Sequence, residues 1–140
     1  MIKKSASAHW DGPIKEGKGT ISTESGALAD QPYGFGMRFE GLPGTNPEEL
    51  IGAAHAGCFS MALSKELAEA GVENIGIDTK AVISLEKQEG GFTITRSQLT
   101  VHITGSGDEG AIRAAADAAK AGCPVSRVLN CEIGMDLTIG

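Results

Sequence analysis

The chain has 140 residues, a formal net charge of −6 and few aromatic side chains. That length supports one core without staples, so a single domain over residues 1–140 is expected. The acidic balance, with no run of Lys and Arg longer than two, argues against a nucleic-acid surface. The first residues, MIKKSASAHWDG, lack an apolar signal region. The longest apolar stretch, Leu50 to Leu63, is short and interrupted by His55 and two glycines, which excludes a membrane span there. Three cysteines, an odd count, suit a reducing compartment better than a secreted disulfide framework, so a cytoplasmic setting is expected.

From the N-terminus, Ser5 to Trp10, Gly19 to Thr23 and Phe35 to Glu40 read as short strands separated by glycine turns. In the last of these the apolar parity is Phe35, Met37 and Phe39, which puts Arg38 on the other face as a solvated strand arginine. Asn46-Pro47-Glu48-Glu49 is a helix start: a capping side chain, a proline at the first helical position and acids in the first turn. The helix should run to about Glu69, with Gly71 just past its end. Glu49, at the third helical position, is placed to close a capping interaction with Asn46.

Ile75 to Glu86 alternates as a half-buried strand. Phe92 to Thr104 changes phase, because Phe92 and Ile94 share one parity whereas Leu99, Val101 and Ile103 share the other. A bulge near Arg96 to Gln98 is expected. Asp108 to Ala121 reads as an alanine-rich helix ended by Gly122, then a short helix starts at Pro124 with Cys123 at its N-cap. Cys131, Ile133, Met135, Leu137 and Ile139 alternate in a last strand, with Cys131 on the core parity. The class is α+β. Between Leu50 and Leu63 the long helix is apolar or small nearly all round, more surface than one sheet covers, which predicts a homodimer.

The cysteines carry the chemistry. Cys58, mid-helix among apolar neighbours, gains nothing from the helix dipole. It is either an inert core residue or a thiol activated by an outside charge. Cys123 should be exposed at a helix N-terminus, where a thiol is acidified. Two such thiols suit a peroxidatic and resolving pair if their Cα atoms come within about 7 Å. Their separation in the chain neither supports nor forbids this. His55 and Cys58 have a usable metal-ligand spacing, but there is no CxxC or HExxH, and no GxGxxG or P-loop for a nucleotide. No cofactor or metal is therefore expected.

The segments AHWDG, GKGTISTESGAL, QPYGFGMRFEG, GTNPEELIGAAHAGCFSMALS and AKAGCPVS together resemble the osmotically inducible protein C (OsmC) family, related to the organic hydroperoxide resistance proteins. The resemblance runs from about residue 6 to the end. It implies an intertwined homodimer, rich in antiparallel sheet around long central helices, with active sites at the subunit interface. It also implies a cofactor-free thiol peroxidase reducing organic hydroperoxides and, more weakly, hydrogen peroxide. By resemblance Cys58 is the peroxidatic cysteine, Cys123 the resolving one, Arg38 the arginine that pairs with the thiolate, and Glu48 the glutamate that orients it.

An external dithiol, such as a lipoyl group, would restore the reduced enzyme. Phe35, Phe39, Leu50, Phe59 and Met61 are candidates for an apolar substrate pocket. Ten residues of straight helix put Glu48 about 15 Å from Cys58, so either the helix breaks near Gly52 or Gly57, or the glutamate serves the other subunit. The competing readings are a non-enzymatic dimer binding a lipid-like molecule and, more weakly, a metal-dependent hydrolase using His55 and Cys58.

Overall fold

Two three-stranded sheets organise the chain, one in each of two units, Met1–Leu50 and Ile51–Gly140, in a computed structural model that describes residues 1–140. In the first unit, β1 (Ala6–Asp11), β2 (Lys18–Thr23) and β3 (Gln31–Tyr33) form an antiparallel meander with β2 in the middle. β3 has no counterpart in the sequence reading. It has three residues, and Pro32 lacks an N–H, which an edge strand tolerates and a central strand does not.

The segment expected as a strand at Phe35 to Glu40 is instead a short helix, α1 (Phe35–Phe39). Its apolar residues fit both periods. Phe35 and Phe39 are one helical turn apart, with ring centroids 4.9 Å from each other, whereas a strand would set the two residues about 13 Å apart. Backbone bonds from Arg38 N to Gly34 O and from Glu40 N to Gly36 O close the turn.

The long helix, α2 (Pro47–Glu69), has the expected bounds. Asn46 Oδ1 accepts the Glu49 backbone N–H at 2.8 Å, the predicted cap. Gly71, with φ +80°, takes the left-handed conformation after the last turn, and Val72 N bonds back to Leu67 O. α2 continues through Gly52 and Gly57, so the expected alternative of a break at either glycine is corrected. At Gly52 the reason for glycine is proximity: a Cβ there would lie 3.2 Å from the Ala81 carbonyl oxygen of the neighbouring strand.

In the second unit β4 (Glu73–Gln88) and β5 (Gly91–Ser106) form a hairpin closed by Glu89 and Gly90. Ser84 pairs with Arg96 and Leu85 with Ile94, so Thr95 is the extra residue of a bulge beside the predicted window. β6 (Glu132–Ile139) lies parallel to β5 on the other side. A parallel neighbour requires a crossover, supplied by α3 (Glu109–Gly122) and α4 (Pro124–Val128). Asp108 caps α3 through Ala111 N. The α+β class is as read from the sequence pattern, and antiparallel pairing dominates as the resemblance implies.

The core of this unit joins Phe59, Leu63 and Leu67 of α2, Leu99, Val101 and Ile103 of β5, and Ile112, Ala115, Ala116 and Ala119 of α3. On α2 only one face is sealed; Ala53, Ala54, Gly57 and Met61 are exposed, Met61 at 78%. No helix is long and apolar enough to cross a membrane. Truncating Leu63, fully buried, to alanine should cost about 2–5 kcal/mol, read as a lower urea midpoint. Gly71→Ala should cost only about 1 kcal/mol, from backbone strain alone.

Candidate active site

Cys58 lies one helical turn after His55 on α2, half-buried. Cys123 is among the groups that act on its sulfur, so the two thiols are neighbours within one chain. No reading of sequence spacing could establish this juxtaposition. The shared core does, because α2 and the α3–α4 junction pack against the same sheet. Burial pushes the Cys58 thiol up from its ordinary value; the Val125 backbone N–H pulls the other way, and Cys123 beside it adds a further upward push. No cation is among the groups that shift the Cys58 thiol.

Cys123 is the N-cap of α4, as the sequence predicts, and its sulfur accepts the Ser126 backbone N–H at 3.3 Å. The expectation that it is exposed is corrected: Cys123 is 1% exposed, buried under α3 and the core. Cys131 is corrected in the opposite sense. It precedes β6, stays half-buried and lies outside the core cluster, on a cleft shared with Asp117, Lys120 and Ser126.

Behind the thiols lies a group that sequence reasoning considered only as a metal ligand. His55 is fully buried, with Nδ1 2.6 Å from Ser97 Oγ and Nε2 2.8 Å from Ser126 Oγ. Ser126 Oγ is in turn 3.0 Å from Cys123 Sγ. Both imidazole nitrogens are committed to serines, so His55 has no lone pair free to share a metal with Cys58. Burial holds its pKa below the ordinary histidine value, which favours the neutral ring. Two sequence signals pointed here: a histidine three residues before Cys58 on one helical face, and a serine three residues after the N-cap Cys123.

In the first unit, Arg38 and Glu48 meet as the resemblance implies. Arg38 Nη2 donates to Glu48 Oε1 at 2.8 Å and Nε donates to the same carboxylate at 3.1 and 3.3 Å. The Phe39 ring lies 5.4 Å from the guanidinium carbon. Glu48 stands in the first turn of α2, where a carboxylate is favoured. Its side chain is only 12% exposed, against 37% for Arg38, so the fork is fixed from below while part of the guanidinium stays open. Phe35 and Phe39 line a cavity of about 310 Å³ with Trp10, Ile14, Tyr33 and Arg38.

Met61 lines a different cleft, of about 440 Å³, with Cys58, Lys65 and Pro124. Leu50 is half-buried at the end of the first unit. Phe59 is corrected: it is fully buried in the core of the second unit and serves packing.

Fold and site thus define an α+β protein with two adjoining thiols, one capping a helix. A family model described as OsmC-like protein matches residues 39–138, and the chain belongs to that family. It is 57% identical over 136 residues to Peroxiredoxin OsmC of Escherichia coli (strain K12), covering 96% of this chain and 95% of that one. The crystal structure of the organic hydroperoxide resistance protein OhrB of Bacillus subtilis has a TM-score of 0.70 at 27% identity, covering 96% and 98% of the two chains. An OsmC-like protein of unknown function from Vibrio cholerae shares the fold at 17% identity, with a TM-score of 0.75 and coverage of 99% and 100%.

The buried neutral imidazole makes stability depend on pH. Above the unfolded histidine pKa, about 6.5, both states are neutral at this position. Below it the unfolded chain takes up the proton first, because the folded pKa is depressed, so the His55 contribution is lost as pH falls and levels off below the folded pKa. Urea unfolding of wild type and His55→Gln at pH 7.5 and pH 5 should show a stability difference that shrinks on acidification. A difference independent of pH would contradict the assignment.

Proposed function

We propose that this chain is a thiol-dependent peroxidase that reduces organic hydroperoxides to alcohols, and hydrogen peroxide more weakly. The carrying observation is the direct neighbourhood of Cys58 and Cys123 in a chain 57% identical to a peroxiredoxin. The Cys58 thiolate attacks the peroxide oxygen, the alcohol leaves, and a sulfenic acid remains on Cys58. Cys123 condenses with it to a disulfide, which an external dithiol, of the lipoyl kind, reduces. The half-buried position of Cys58 and the buried position of Cys123 suit this division of roles, since the first must meet substrate and the second only its neighbour. No cofactor takes part in these steps.

The working unit in this reading is a homodimer, residues 1–140 of each copy acting as one OsmC-like domain in the cytoplasm. The exposed apolar stripe of α2 around Ala53, Ala54, Gly57 and Met61 supports a second copy as its cover. Within one chain the Cys58 thiol is pushed up, so a cation has to come from elsewhere. We assign it to Arg38 of the partner copy, oriented by that copy's Glu48. A guanidinium beside the sulfur lowers its pKa and stabilises charge developing on the peroxide oxygens, and the carboxylate fork keeps it in place. The apolar rings of Phe35 and Phe39 next to Arg38 favour a bulky alkyl tail.

Cys58→Ser should abolish consumption of cumene hydroperoxide with dithiothreitol as reductant. Cys123→Ser, without added thiol, should consume one equivalent and stop at the sulfenic acid. Sustained turnover by Cys58→Ser would end the proposal. Light scattering should give twice the 14.4 kDa chain mass. Mixing inactive Arg38→Ala and Cys58→Ser proteins should restore about one quarter of wild-type activity, because randomly exchanged dimers carry one intact site in half of the molecules. No recovery despite proven exchange would place the arginine in the same chain as its thiol.

A further inference from the structure

The second half-reaction leaves a proton to be moved. Joining a sulfenic acid to a thiol forms one S–S bond, breaks one S–O and one S–H bond, and releases water. The attacking sulfur, Cys123, is 1% exposed, so water does not reach it to collect the proton. Its hydroxyl neighbour is Ser126, with Oγ at 3.0 Å, and behind Ser126 stands the fully buried His55 at 2.8 Å, then Ser97 at 2.6 Å.

We propose that Ser126 and His55 form a proton relay that deprotonates Cys123 for disulfide formation, with Ser97 holding the imidazole in register. This deepens the peroxidase reading and rests on it.

The chain of atoms has the right chemistry at each link. A hydroxyl both donates and accepts, and a neutral imidazole donates through one nitrogen and accepts through the other. With Cys123 protonated, the thiol donates to Ser126 Oγ, Ser126 donates to Nε2, and Nδ1–H donates to Ser97 Oγ. One concerted shift moves the thiol proton onto Ser126 and the Ser126 proton onto Nε2. Every bond in the chain then remains made, now with Ser126 O–H directed at a thiolate and Nε2–H directed at Ser126. The Ser126 backbone N–H, already aimed at the sulfur at 3.3 Å, supports the anion as well.

The thiolate then places its electron pair on Cys58 Sγ and is oxidised as that sulfur is reduced. Hydroxide leaves Cys58 and takes a proton from solvent as water. His55 returns its proton through Ser126, which is 7% exposed and lines a cleft of about 400 Å³ beside Asp117 and Lys120. The net change is one disulfide and one water from a sulfenic acid and a thiol. The depressed basicity of the buried ring suits a brief proton carrier, since it returns the proton readily. A role confined to packing would explain the burial of His55 but not a continuous hydrogen-bonded path ending on a reacting sulfur. Ser126 touches that sulfur and acts directly; His55 acts through it as a positioning residue.

The test separates the two half-reactions on the full-length reduced protein. One equivalent of cumene hydroperoxide is added, and sulfenic acid on Cys58, trapped with dimedone, is followed against disulfide by mass spectrometry. In wild type, sulfenic acid should appear and decay, with a normal solvent deuterium isotope effect on the decay. In Ser126→Ala and His55→Gln it should form but decay about 10²-fold more slowly. Ser126→Thr, which keeps the hydroxyl, should decay near the wild-type rate. His55→Gln retains hydrogen bonding but cannot accept a proton, so its slow decay would exclude a purely structural role.

Decay at the wild-type rate in Ser126→Ala overturns the relay. So does a wild-type decay without an isotope effect. Should His55→Gln not fold, Ser126→Ala and Ser126→Thr decide the matter alone. Failure of the wild type itself to form any sulfenic acid would instead overturn the peroxidase reading.

Discussion

The His55 imidazole ties three separate elements together at one point: α2, which carries it, β5 through Ser97, and the start of α4 through Ser126. Each hydrogen bond is buried, so losing one partner leaves a buried polar group unpaired at a cost of about 1–3 kcal/mol. That penalty fixes the rotation of α2 against β5 and the position of the α3–α4 junction. Cys58 is carried into place by the first and Cys123 by the second. The neighbourhood of the thiols is therefore a consequence of polar satisfaction in the core as much as of apolar packing, and no buried side-chain polar atom is left without a partner.

The parts of the fold governed by local rules were legible in the sequence. Asn46-Pro47 and Gly71 bracket α2, Cys123-Pro124 opens α4, and the phase change along β5 marks the bulge at Thr95, because capping and period depend on near neighbours. α1 and β3 were not legible. Five residues alternating Phe, Gly, Met, Arg, Phe satisfy both a strand and a single helical turn, and three residues around Pro32 carry too little pattern to register. The burial of Cys123 also escaped the sequence, since an N-cap position implies solvent only when the helix start lies at the surface.

The candidate site residues came from resemblance rather than from pattern. From alternation alone Arg38 was a solvated strand residue. In the structure it stands in a helical turn, with its guanidinium held by the Glu48 carboxylate. His55 was noticed for its spacing from Cys58, yet spacing cannot show that both ring nitrogens are occupied. A ligand-like interval on a helix face says only that two side chains look the same way. What they find there is decided by elements far along the chain, here β5 and α4.

One sulfur atom has two duties. Cys123 Sγ receives the Ser126 amide and so caps the backbone of α4, and the same residue neighbours the Cys58 thiol. Its valence and its lone pairs cannot change without the helix start sensing it. The electronic state of the thiol pair is thereby coupled to the order of a short segment at the unit's edge, where Val128 already projects into solvent.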